Sequence, residues 1–103
     1  MVTELNNGNI DKNVKQGNVV LDFYAEWCGP CKTMNPLFEK VSAEVRKVNF
    51  FKVNVDNSQE AAMVYAVRSI PTIVFIRDGQ EVDRALGVLQ EEDFKHRIKE
   101  AFK

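Results

Sequence analysis

A chain of 103 residues with 45% hydrophobic and 28% charged side chains is expected to form one domain, 1–103, around a single core. Its 14 basic and 15 acidic residues give a formal net charge of -1, which argues against nucleic acid or an anionic membrane surface as a partner. No apolar stretch is long enough to span a bilayer, and Met1-Val2-Thr3-Glu4-Leu5-Asn6-Asn7 lacks the basic-then-apolar order of a signal peptide, so a cytoplasmic protein with no membrane association is expected.

Val2 to Leu5 reads as a short edge strand, and Asn9 to Lys15 as a short helix capped by Asn9, with a turn at Gly17-Asn18. Val19 to Tyr24 is apolar except at Asp22, a pattern that suits a central strand covered on both faces. From Cys31 onward, Met34, Leu37, Phe38, Val41, Val45 and Val48 recur at three- and four-residue steps and predict a long helix. Pro36 lies within it, removes a backbone donor and should kink it.

Asn49 to Asp56 reads as a strand. Asn57 with Glu60 three residues on resembles a capping box, opening a helix through Tyr65. Thr72 to Ile76 is a strand preceded by Pro71, Asp78-Gly79 is a hairpin turn, and Glu81 to Leu86 is the returning strand, with a bend at Gly87. Glu91-Glu92-Asp93 favours a helix start, and Phe94, Ile98, Ala101 and Phe102 form the stripe of a last helix. The order β-α-β-α-β-α-β-β-α predicts an α/β fold: a mixed central sheet of about five strands flanked by helices on both faces. Met34, Phe38, Phe75 and Phe102 are expected in the core, and His96 on the surface.

The only two cysteines stand together in Trp27-Cys28-Gly29-Pro30-Cys31-Lys32, between a strand and a helix. Their spacing places both sulfurs on one face of a first helical turn, close enough to form a disulfide. The loop so closed is very short and would stabilise the fold little, so a cycling redox pair is the better reading than a structural bridge. Backbone N–H groups at the helix start favour a thiolate at Cys28. Cys28 is thus the expected nucleophile and the shielded Cys31 the resolver. Gly29 leaves room for a substrate backbone, and Pro30 suits a first helical turn. Lys32 either favours the thiolate or is an ordinary solvated lysine.

The segment Asp22-Phe23-Tyr24-Ala25-Glu26-Trp27-Cys28-Gly29-Pro30-Cys31-Lys32 resembles the active-site segment of the thioredoxin family. The similarity continues through Pro36, Lys52-Val53-Asn54-Val55-Asp56, Arg68-Ser69-Ile70-Pro71-Thr72, Asp78-Gly79 and Gly87, in the family's order and over nearly the whole chain. The Gly-Pro pair between the cysteines resembles the reducing members. Two departures stand out: Tyr24 occupies the place of a common second tryptophan, and a short N-terminal segment implies a short or frayed first strand.

The resemblance implies a thioredoxin fold and a general protein-disulfide reductase working by dithiol–disulfide exchange. Its partners would be disulfide-containing protein substrates and a thioredoxin reductase that draws on NADPH, and a monomer is expected. It also implies a buried proton-relay carboxylate at Asp22, whose plain reading is equally a water-exposed strand residue. Lys52 would lie near it; alone, it reads as a solvent-facing strand lysine. The Ile70–Pro71 bond would be cis and lie against the cysteines, with Ile70 offering its backbone to an extended substrate. Trp27, Gly29, Pro30, Ile70, Pro71 and Gly87 would border that groove.

No G-x-G-x-x-G fingerprint is present, so the nicotinamide would act only through the reductase and no bound cofactor is expected. A metal site is a poor alternative, because structural zinc wants four ligands and the chain offers two cysteines and one distant histidine. A binding module without redox chemistry is the other alternative, and the intact cysteine pair argues against it as the sole role.

Overall fold

A computed structural model describes residues 2–103. In chain order these form β1 (Val2–Leu5), α1 (Ile10–Val14), β2 (Asn18–Tyr24), α2 (Gly29–Glu44), β3 (Asn49–Asn54), α3 (Gln59–Val64), β4 (Thr72–Arg77), β5 (Gln80–Leu86) and α4 (Glu91–Ala101). The strands make one mixed sheet in the order β1-β3-β2-β4-β5. β2 and β3 pair in parallel, as do β1 and β3, while β4 runs antiparallel to both β2 and β5. β2 is therefore the central strand, as its apolar run predicts.

Side chains alternate across the sheet. On one face Val20, Phe50, Ile73, Phe75 and Ala85 pack with Met34, Phe38 and Val41 of α2 and with Phe94 and Ile98 of α4. Phe94 anchors this layer, with ring centroids 5.8 Å from Phe38 and 6.2 Å from Phe75. On the other face Val19, Leu21, Phe23, Val53, Val74 and Ile76 pack with Ile10 and Val14 of α1 and Ala61 of α3. Both faces of β2 are thus dry, and Asp22 is the charged residue placed within it.

The helix boundaries correct several expectations. α2 starts at Gly29 rather than Cys31 and ends at Glu44. Val45 and Val48 lie beyond it, and Val48 joins the same core from the connecting segment, which is why it fits the apolar period. The Asn57–Glu60 capping box does not form. Ser58 holds the N-cap position of α3 without a side-chain cap, while the Asn54 side-chain oxygen accepts from the Asp56 and Asn57 amides and organises the turn. The strand accordingly stops at Asn54, short of Asp56. Asn9 holds the N-cap position of α1, as expected, but without a side-chain cap; its Oδ1 accepts from the Asn6 amide. Phe102 ends α4 half-buried rather than fully in the core.

The β4–β5 hairpin and the end of α3 place non-glycine residues in left-handed backbone. Asp78 (φ 49°) and Gly79 (φ 84°) form the β4–β5 hairpin, and Asp78 Oδ1 accepts from the Gly17 amide at 2.8 Å. Ala66 (φ 53°) follows α3, where its amide bonds to the Met63 carbonyl and the Val67 amide to the Ala62 carbonyl. This is the Schellman ending that glycine normally completes. Ala66→Gly is expected to stabilise the protein by up to ~1 kcal/mol, read as a higher urea midpoint. A lower midpoint would show that the alanine is unstrained there.

Candidate active site

β2 carries the chain to the redox pair. After Tyr24 and the buried Ala25, Cys28 adopts an extended conformation (φ -81°, ψ 115°) and becomes the N-cap of α2, with Pro30 in the first turn. Its Sγ accepts from the Cys31 amide at 3.2 Å. A sulfur thus fills the capping role that a serine or aspartate oxygen usually plays. The same geometry puts a backbone N–H on the atom that would carry the charge of a thiolate.

Cys28 and Cys31 are joined in a disulfide with their Cα atoms 5.3 Å apart. Cys28 is 3% exposed and Cys31 0%. Both pack with Tyr24 and Ala25, against Val55 and Ile70.

The loop before β4 approaches the same pair. The Ile70–Pro71 peptide bond is cis, and the Ile70 carbonyl oxygen lies 3.8 Å from Cys28 Sγ. The Pro71 carbonyl accepts from the Gly87 amide at 2.9 Å, which ties Gly87 (φ 84°) to this loop. Gly29 is exposed, and a Cβ built on it would meet only open space. Trp27, Val55, Val67, Arg68, Ser69 and Ile70 line an open depression beside Cys28. Trp27 is 69% exposed, so it is not a core aromatic, and its Nε1 donates to Asp56 Oδ2 at 2.8 Å.

Asp22, on β2, is 1% exposed. Burial pushes its carboxyl up from 3.8 to about 7, against a smaller lowering by the Lys52 ammonium. The water-exposed reading of Asp22 is thereby excluded. Its Oδ1 has no hydrogen-bond partner among the described residues. With the Asn35 side-chain amide turned nitrogen-inward, the orientation its neighbours satisfy, its nitrogen donates to Asp22 Oδ2 at 2.7 Å and to the Cys31 carbonyl at 3.2 Å.

Lys52 is the β3 register partner of both Asp22 and Glu4. It is half-buried, with its ammonium 5.5 Å from the centre of the Tyr24 ring. The Tyr24 hydroxyl donates to Glu4 Oε1 at 2.7 Å. Burial first, and then the Glu4 carboxylate, raise that hydroxyl's pKa above its ordinary value. Tyr24 thereby ties the edge strand β1 to the central strand at the level of the active site.

The structure brings together Cys28, Cys31, Asp22, Ile70 and Pro71, with Trp27, Gly29, Pro30, Lys52 and Gly87 around them. His96 and Lys32 are exposed, and His96 lies on α4. Among the described residues no group of three or more His, Cys, Asp or Glu side chains could hold a metal ion, and no helix is long and apolar enough to cross a membrane. Sequence reasoning missed Asn35 and Asp56. A signal for Asn35 exists: it is a polar residue one turn after Cys31, next to the apolar stripe of α2.

The family model "Thioredoxin" matches residues 1–100. A thioredoxin of Mycoplasmoides gallisepticum is 43% identical over 81 residues, covering 79% of this chain and 81% of that protein. One of Chlamydia trachomatis is 42% identical over 88 residues, covering 85% and 86%. The crystal structure of Malassezia sympodialis thioredoxin superposes with a TM-score of 0.88 at 33% identity, covering 97% of this chain and 92% of that one. Sequence and fold agree over nearly the full length, so the chain belongs to the thioredoxin family, and its cysteine pair marks it as a thiol–disulfide oxidoreductase.

Proposed function

We propose that the protein is a general protein-disulfide reductase, in which Cys28 attacks and Cys31 resolves. One observation carries this assignment. Cys28 Sγ caps α2 and receives the Cys31 N–H, whereas Cys31 is fully buried one turn further in. A nucleophilic sulfur needs a stabilised thiolate and a path to substrate; Cys28 follows Trp27, which lines the open depression, and its Sγ lies 3.8 Å from the carbonyl oxygen of Ile70 on the same depression.

The Cys28 thiolate attacks one sulfur of a substrate disulfide. The S–S bond breaks, and the other substrate sulfur leaves with the electron pair as a thiolate. The Cys31 thiol then gives its proton to the Asp22 carboxylate, and its sulfur attacks Cys28 Sγ. The second substrate sulfur is expelled and, after protonation, the substrate is a dithiol while Cys28–Cys31 is a disulfide. Two electrons and two protons restore the pair.

By family resemblance those electrons come from a thioredoxin reductase, a flavoprotein that draws on NADPH. Lys52 modulates Asp22 through its charge. Trp27, held by Asp56, forms one wall of the substrate groove, and Ile70 and Pro71 the other. Gly29, Pro30 and Gly87 border it, where small or rigid residues let a substrate backbone come close. A monomer in the reducing cytoplasm belongs to the same reading.

The test is NADPH oxidation in the presence of a thioredoxin reductase and a disulfide protein, with this chain as the varied component. The expected result is a rate proportional to the chain's concentration. Activity with dithiothreitol but none with the reductase would remove the electron donor from the assignment and leave the chemistry. For the groove, Asp56→Ala is expected to free the Trp27 indole and raise KM for a protein disulfide more than it lowers kcat. An unchanged KM would remove Trp27 from substrate binding.

A further inference from the structure

The relay proposed above treats Asp22 as a single carboxyl, but its two oxygens are in different surroundings. Asn35 lies on α2 four residues after Cys31 and so projects from the same face. With its amide nitrogen facing inward it donates both to Asp22 Oδ2 and to the Cys31 carbonyl. The reverse orientation would set the amide oxygen against two acceptors. Asp22 Oδ1, also buried, has no hydrogen-bond partner among the described residues.

We infer that Asn35 is a positioning residue for the proton relay, holding Asp22 by Oδ2 against the Cys31 turn so that the proton is taken up and released at Oδ1. This rests on the reading of Asp22 as the base for Cys31. A carboxyl oxygen that accepts an N–H is a poor place for a proton, so protonation falls to the other oxygen. The bond also favours the ionised form, and therefore limits how far burial can raise the carboxyl.

The groups around Asp22 make the effect readable. From β3, Lys52 supplies the positive charge that faces it. From β4, its register partner is the uncharged Ile73. From α2, the contact is the neutral Asn35, which also donates to the Cys31 carbonyl. On β2 itself, Tyr24 follows on the same face and is engaged by Glu4.

The experiment follows the Asp22 carboxyl by carbon NMR in the reduced protein, alongside the pH profile of mixed-disulfide resolution by Cys31. Asn35→Ala retains a good helix former and should fold. It is expected to move the Asp22 midpoint upward by about one pH unit, and the resolution profile with it. In an Asp22→Asn background the same change should leave the profile where it was. Asn35→Asp, with the same shape, is expected to raise the midpoint further, because two carboxylates then compete for one site.

An unmoved midpoint in both Asn35 variants would overturn the inference. So would a profile shifted equally in the Asp22→Asn background. A midpoint that moves while Asp22→Asn resolves as fast as wild type at every pH would overturn the relay, yet support the hold of Asn35 on Asp22.

Discussion

Cys31→Ser protein is expected to capture its disulfide substrates covalently. The substitution leaves Cys28 at the N-cap of α2, with the backbone N–H of residue 31 still directed at its sulfur. Attack on a substrate disulfide then proceeds, but the mixed disulfide has no neighbouring sulfur to resolve it. One adduct per chain should accumulate on non-reducing gels and disappear with dithiothreitol, and multiple-turnover reduction should fall to the uncatalysed background. Cys28→Ser should give neither adducts nor turnover, because the remaining sulfur is fully buried. Adducts formed by Cys28→Ser in place of Cys31→Ser would reverse the assignment of nucleophile and resolver.

The second large effect concerns Asp22, and it has opposite signs in stability and in rate. Its carboxyl titrates near 3.8 when unfolded and at about 7 when folded, because burial penalises the charge. Below the unfolded value both states hold the proton and nothing is lost. As pH rises toward 7 the unfolded chain releases the proton while the native protein keeps it, so stability falls. Above the folded value the full penalty applies, about 4 kcal/mol as a ceiling. Asp22→Asn removes the charge with little change in shape. The oxidised variant should therefore be more stable than wild type at about pH 8, with the advantage fading toward about pH 4. Urea unfolding at several pH values measures this, and equal stability throughout would contradict the buried-charge account.

The same substitution should slow catalysis. Without the carboxylate, the Cys31 thiol must ionise into solvent from a buried position. Resolution of the mixed disulfide near neutral pH should fall roughly 10²-fold, the usual scale for a lost general base. The wild-type rate should rise through about pH 7 as Asp22 loses its proton, an inflection that the variant lacks. A stabilised protein that resolves more slowly fits a functional carboxylate kept at the expense of stability.

How much of this was legible beforehand depends on how local each signal is. Strands and helices follow hydrophobic period, so the element order and the central place of β2 could be read from Val19 to Tyr24 and the α2 stripe. The period could not show where α2 ends, because Val48 packs into the same core after the helix has stopped. Asn57 and Glu60 have the spacing of a capping box, while the turn is organised from outside that window by Asn54. The cysteine pair was fully legible, since both sulfurs and the helix start lie within four residues. Asp22 stood out by its charge, but its burial required the covering helix. The role of Asn35 is not local, because its partner is on another element and only the packing of α2 on the sheet brings them together.

The central claim is that Cys28 and Cys31 form a site that reduces protein disulfides, and dithiothreitol-driven reduction of insulin tests it most directly. Wild-type chain should accelerate insulin precipitation in proportion to its concentration, while Cys28→Ser at the same concentration should match the rate with dithiothreitol alone. Precipitation no faster with wild type than without it, or equally fast with Cys28→Ser, would contradict the account.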